Sequence, residues 1–162
     1  MQTATQIERD IESVHAFSIS LNLLDGYAFR ADFDDASLEP LHTDEPRPLG
    51  SGSGPSPSRL LAAAVTNCLA SSMLHCLRRS RVEVKDLKAR ATVTVGRNKR
   101  GRVRIERIAV QLEPTVAAAH VDQLSRCTNV FEDYCTVTAS IRDGIEIGVS
   151  VAANAAKPWE EK

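Results

Sequence analysis

From Leu60 to Leu77 the chain reads Leu-Leu-Ala-Ala-Ala-Val-Thr-Asn-Cys-Leu-Ala-Ser-Ser-Met-Leu-His-Cys-Leu, apolar or small on every side of a helical wheel. Such a helix in a soluble protein has to be covered, so it is predicted to form the core around which everything else is laid. Ser56 is placed to cap its first turn and Pro57 to occupy the first helical position. The helix is expected to run to about Ser80. Arg78, Arg79 and Arg81 follow at its end, where cations complement the exposed carbonyls.

The flanks switch to a period of two. Phe17, Ile19, Leu21 and Leu23 alternate with small or polar residues; Asp25-Gly26 reads as a turn, and Tyr27, Phe29, Ala31 and Phe33 alternate on the return. Beyond the helix, Val82 to Val95 and Arg102 to Leu112 predict a long hairpin joined by Gly-Arg-Asn-Lys-Arg-Gly. A second helix is expected from about Thr115 to Cys127, a short one around Cys135 to Ile141, and a last strand through Ile145, Ile147, Val149 and Val151. Residues 34 to 57 hold Pro40, Pro46, Pro48, Pro55 and Pro57 and a Gly-Ser-Gly-Ser-Gly run, which predicts a long loop with a flexible hinge at Gly50 to Gly54. The order implies an α+β fold with antiparallel sheet curved around one central helix.

A length of 162 residues suits one domain. That domain is placed at 14–153, with an N-terminal arm at 1–13, helical in pattern through Ile7, Ile11 and Val14, and a tail at 154–162. The 20 basic and 21 acidic residues leave a formal net charge of −1, so no global field gathers nucleic acid or an anionic membrane. The N-terminus lacks a basic region followed by an apolar run, and no uninterrupted apolar stretch is long enough to span a bilayer. A cytoplasmic protein is expected, without a membrane or nucleic-acid partner.

The chemistry is carried by four cysteines, Cys68, Cys76, Cys127 and Cys135, at separations of 8, 51 and 8 residues. Neither C-x-x-C redox motifs nor zinc sites have that spacing, so no metal is expected. In a reducing cytosol a lasting structural disulfide is disfavoured, which leaves buried inert thiols or redox-active ones. Free cysteine is among the most buried residue types, so packing is the default role. A peroxide-reducing thiol needs a cation to hold it as thiolate and a second thiol to capture its sulfenic acid. Cys68 lies too far inside the helix for the N-terminal dipole to activate it. Cys76 is eight helical residues away, roughly 12 Å, against a bridging limit of about 7 Å. The partner of Cys68 is therefore Cys127 or Cys135, and spacing alone does not choose.

Other constellations are weaker. His75 is seven helical residues from Cys68, roughly 10 Å along the axis. His15, His42 and His120 are scattered singly, without metal-ligand spacing. Arg97, Lys99, Arg100, Arg102 and Arg104 crowd a hairpin tip that has no aromatic for base stacking, which favours a solvated turn. Ser71 and Ser72 lack a nucleophile-elbow setting.

Asp44-Glu45-Pro46-Arg47-Pro48-Leu49-Gly50, then Gly54-Pro55-Ser56-Pro57-Ser58-Arg59-Leu60-Leu61-Ala62-Ala63-Ala64 and Asn67-Cys68-Leu69, resembles the OsmC/Ohr family signature around its first cysteine. Tyr134-Cys135-Thr136-Val137-Thr138-Ala139-Ser140-Ile141 and Ile145 to Val149 resemble the family's second-cysteine motif and closing strand. The resemblance spans roughly residues 14 to 152. It implies a curved antiparallel sheet around a long central helix, in an intertwined homodimer with active sites at the subunit interface. It also implies a thiol-dependent peroxidase for organic hydroperoxides in oxidative-stress defence, with Cys68 attacking the peroxide, Cys135 closing a disulfide, and an external dithiol in place of a cofactor. The chain departs from the family at Ser58, where a Glu holds an activating arginine, and at Thr136, where Pro follows the second cysteine. Arg30 is the candidate activating cation here, and Glu45 the candidate replacement carboxylate. The competing expectations are a non-catalytic module of the same fold binding a hydrophobic ligand at the dimer interface, and a hot-dog-like thioesterase. The helix offers no clear catalytic carboxylate for the latter.

Overall fold

A computed structural model describes residues 12–145, 147–149 and 151. The chain divides into two compact units, 1–61 and 62–162.

In the first unit, strand β1 (Ile19–Asp25) pairs antiparallel with β2 (Ala28–Phe33), which pairs with β3 (Leu41–Thr43). Gly26 turns the hairpin at φ 51°, a region glycine enters without a Cβ penalty. The alternation expected of β1 is present, but every residue of the strand is exposed. β3 is a short strand inside the stretch read as pure loop. The serine–glycine run is not the free hinge that its composition suggests. It wraps the buried carboxylate of Asp44, which accepts the backbone N–H of Glu45, Ser51 and Ser53 and the hydroxyls of Ser51 and Ser53. A Cβ at Gly50 would collide with the Glu45 carbonyl and this carboxylate, which is why glycine stands there.

Helix α1 (Pro57–Arg79) begins at the proline, as expected, and carries the second unit's core. Its first turn is closed by the Leu60 N–H on the Ser56 carbonyl, 3.0 Å. It ends in a Schellman turn: Val82 N–H reaches the Leu77 carbonyl at 3.0 Å, Arg81 N–H the Arg78 carbonyl at 2.9 Å, and Arg81 takes φ 58°. Leu77 and Val82, fully or nearly fully buried, meet in the core where that motif places a hydrophobic contact. By length and composition alone α1 is long and apolar enough to cross a membrane, a test that the core helix of a folded domain also passes. Its Val65, Leu69, Met73 and Leu77 stripe is built into the protein core.

That stripe packs on the hairpin of β4 (Val84–Arg97) and β5 (Val103–Val116), the long pair foreseen in the sequence. Val110 pairs with Ala91 and Leu112 with Ala89, so large residues of β5 reach the core while the alanines of β4 leave space. Ala62, Ala63, Thr66 and Ala70 of α1 are equally small, and the result is a hollow of about 580 Å³. The two sheets are separate among the described residues, rather than one continuous curved sheet.

The helix expected from Thr115 to Cys127 is shorter. β5 continues to Val116, a 3-10 turn covers Ala118–His120, and α2 spans Val121–Thr128. Pro114 does not end β5, because its missing N–H is tolerated on an edge strand. A second 3-10 turn, Phe131–Tyr134, leads to α3 (Thr136–Asp143), close to the short helix expected. No strand occurs at residues 145, 147–149 and 151, where one was expected; Glu146 and Ser150 lie outside the described residues. Alternation marks side chains that require cover, but a strand also requires a partner edge, and Ile147 and Val149 remain more than four-fifths exposed. The arm expected to be helical falls on residues 1–11, outside the described residues, and from Glu12 to Ser18 the backbone has no regular structure.

Candidate active site

Helix α1 and the α2–α3 segment bring the four cysteines together in two pairs. Cys68 stands with Cys135, and Cys76 is disulfide-bonded to Cys127 across a Cα–Cα distance of 5.7 Å. The bonded pair overturns the expectation that a disulfide is disfavoured here. That expectation came from compartment chemistry, whereas the geometry comes from register: equal eight-residue spacings on two facing segments align both pairs at once.

Cys135 is fully buried and occupies the N-cap of α3, with φ −87° and ψ 92°. Its Sγ accepts the Thr138 N–H at 3.4 Å and lies 2.9 Å from Thr138 Oγ1. Burial pushes this thiol up, but hydrogen bonds from Cys68, from the hydroxyl and N–H of Thr138, and from Ser72 outweigh it. The net effect holds Cys135 below the ordinary thiol range. Cys68, half-buried on α1, moves the other way. Burial raises it, and donation to Cys135 and the charge there raise it further, while hydrogen bonds from the Val137 and Thr138 backbone pull partly back. The two thiols are thus pushed in opposite directions, Cys68 up and Cys135 down.

An apolar cleft of about 310 Å³ is lined by Thr138, the partner of the Cys135 sulfur, though neither Cys68 nor Cys135 lines it. Val65 and Leu69, which bracket Cys68 in sequence, form one wall, and Phe131 and Thr138 form another. At its edge Arg142 Nη2 meets Glu132 Oε2 at 2.6 Å, an exposed ion pair. Small oxidants with an apolar body fit such a space.

The remaining site candidates from the sequence lie in the first unit. Arg30, paired across to His42, directs its Nε to Asp32 at 2.8 Å. Glu45 adjoins the Asp44 knot, and its backbone N–H donates to that carboxylate. Sequence reasoning missed Thr138 and Ser72 as partners of the thiol, and missed the Cys76–Cys127 bond. A polar residue three positions after a cap was a visible signal for Thr138 in Cys-Thr-Val-Thr, and the matched eight-residue spacings were the signal for double pairing.

The site is a pair of free thiols, Cys68 on α1 and Cys135 at the N-cap of α3, in a mixed α+β framework of antiparallel sheets. The chain matches the OsmC-like protein model over residues 50–150, and it belongs to the OsmC family. Three solved structures illustrate the shared fold. An OsmC-like protein of unknown function from Vibrio cholerae is 15% identical, with 78% of this chain and 94% of that one covered at a TM-score of 0.68. An organic hydroperoxide resistance protein, OsmC, from Legionella pneumophila is 17% identical, with 81% and 92% covered at 0.61. An organic hydroperoxide resistance protein from Elizabethkingia anophelis, with thiocyanate bound, is 15% identical, with 80% and 91% covered at 0.55. A search of curated protein sequences finds no match.

Proposed function

We propose that the protein is a thiol-dependent peroxidase that reduces organic hydroperoxides through a cycle of sulfenic acid and disulfide. The observation that carries this reading is the pairing of the Cys68 and Cys135 thiols, with Thr138, the partner of the Cys135 sulfur, lining an apolar cleft. Cys68 is the reachable sulfur and attacks the terminal peroxide oxygen. Its proton passes to the alkoxide as the O–O bond breaks, so that ROH leaves and Cys68 becomes a sulfenic acid. The Cys135 thiolate then attacks the Cys68 sulfur, hydroxide departs, and a disulfide forms. An external dithiol restores both thiols by two exchanges and leaves as its own disulfide. Stopped-flow consumption of cumene hydroperoxide with a dithiol tests the reading; full activity in Cys68→Ser would refute it.

The working unit we propose is an intertwined homodimer in the cytoplasm. Support comes from apolar surface that the chain leaves bare: Leu21 and Leu23 on β1, Ile147 and Val149, and the alanine-lined hollow beside α1. For that assembly the proposed activating cation is Arg30, with Glu45 as the carboxylate that replaces the family Glu at Ser58.

One observation favours a second reading. The influences that set the acidity of Cys68 are burial and its neighbours Cys135, Val137 and Thr138, and they raise it instead of priming it. A non-catalytic module holding a hydrophobic ligand in the cleft fits that chemistry. Such a module forms no Cys68–Cys135 bond with peroxide and carries an acyl or lipid ligand in native mass spectrometry.

A further inference from the structure

The proposed cycle leaves the second cysteine pair unused. Cys76 lies eight residues beyond Cys68 on α1, and Cys127 lies eight residues before Cys135 on the facing segment, so the pairs stand as two rungs between the same two rails. Cys127 is buried and Cys76 partly so. From Cys127 to Cys135 the backbone is a train of tight turns. The Val130 N–H bonds the Cys127 carbonyl at 3.1 Å, the Asp133 N–H bonds Val130 at 3.2 Å, and the Cys135 N–H bonds Glu132 at 3.0 Å. Phe131, in the middle, is anchored in the core. A segment held by such short-range bonds has little slack, so fixing Cys127 fixes Cys135.

We propose that the Cys76–Cys127 disulfide is a reversible clasp that positions Cys135 against Cys68, so that a sulfenic acid on Cys68 is captured before a second hydroperoxide oxidises it further. The inference rests on the peroxidase reading. The clasp closes when its two thiols pass two electrons to a hydroperoxide: one sulfur takes the terminal hydroxyl as ROH leaves, and the other displaces that hydroxyl as water. A dithiol opens it by two exchanges and departs as a disulfide. Roughly 12 Å of helix separates the rungs, so the clasp acts by position and not by exchange with the reacting pair. Capture by Cys135 is intramolecular, whereas overoxidation is bimolecular in peroxide. The ratio of the two products therefore reports how well Cys135 is placed.

The test treats the full chain with rising concentrations of cumene hydroperoxide and quantifies, by peptide mass spectrometry, Cys68 sulfinic acid against the Cys68–Cys135 disulfide. In Cys76→Ser and Cys127→Ser that ratio should rise about fivefold to tenfold over the wild type at equal peroxide. An unchanged ratio with a lowered melting temperature would make the bond a staple only and overturn the clasp. Because serine at buried position 127 can prevent folding, the double variant Cys76→Ala/Cys127→Val, which refills the space with apolar groups, runs in parallel and should show the same rise. A folded double variant with the wild-type ratio overturns the proposal, as does finding Cys76 and Cys127 both free in peroxide-treated wild type. Wild type that forms neither the disulfide nor the sulfinic acid sinks the peroxidase reading and the clasp with it. Wild type that forms the disulfide, with variants that match its ratio, sinks the clasp alone.

Discussion

The two cysteine pairs share one helix, one facing segment and one spacing, yet one pair is bonded and the other is free. Their surroundings differ. Cys135 caps a helix, and its hydrogen bonds with Cys68, Thr138 and Ser72 hold its thiol below the ordinary range. Cys127 sits near the end of α2 in the apolar core, with the Ser80 hydroxyl 3.9 Å from its sulfur. Spacing brings thiols together, and polar partners decide which pair is fit for chemistry.

Exchanging single residues between these environments should separate chemistry from stability. The largest effect is expected at Cys68: serine should cut hydroperoxide consumption by about a thousandfold or more, with little change in melting temperature. Opening the other pair should do the reverse. In the chain-entropy account, a crosslink across a separation of 51 residues contributes about 4 kcal/mol, so Cys127→Ser should lower the melting temperature by roughly 10 °C while peroxide consumption persists.

A third contrast concerns pH. The Cys68 thiol is raised above its ordinary value, so its alkylation should be slow at neutral pH and climb on the alkaline side. Cys135→Ser removes a hydrogen bond and a charge that raise it, and should move that profile toward lower pH, read by thiolate absorbance. Thr138→Val should move Cys135 the opposite way, by a smaller amount, because one of several supporting hydrogen bonds is lost.

The smallest effect lies far from the thiols. Asp44 is held well below the usual carboxylate range, first by the Ser51 hydroxyl and then by the Ser53 N–H. Its contribution to stability is therefore complete above the unfolded value of about 3.9 and is lost as pH falls through the depressed folded value. Asp44→Asn should flatten the acid limb of a melting-temperature profile and leave the neutral region only shifted.

The sequence was most legible where local physics suffices. Capping at Ser56 and Pro57 and the apolar run placed α1 within a residue or so of both ends, and alternation placed the β4–β5 hairpin. It was least legible where the answer depends on register between distant segments. Whether Cys68 meets Cys127 or Cys135 depends on how α2 and α3 fall against α1, and the helix expected from Thr115 begins only at Val121, after β5 has run on to Val116. The serine–glycine run looked loose because the carboxylate that organises it, Asp44, precedes it by several residues. For Arg30 the sequence could name a cation but not its partner, which is Asp32 in its own strand.

The most direct measurement is disulfide mapping before and after one equivalent of cumene hydroperoxide. The account predicts a Cys76–Cys127 link in both samples and a Cys68–Cys135 link only after oxidation. Treated protein in which Cys68 and Cys135 both remain alkylatable, or in which Cys68 oxidises without ever joining Cys135, would contradict it.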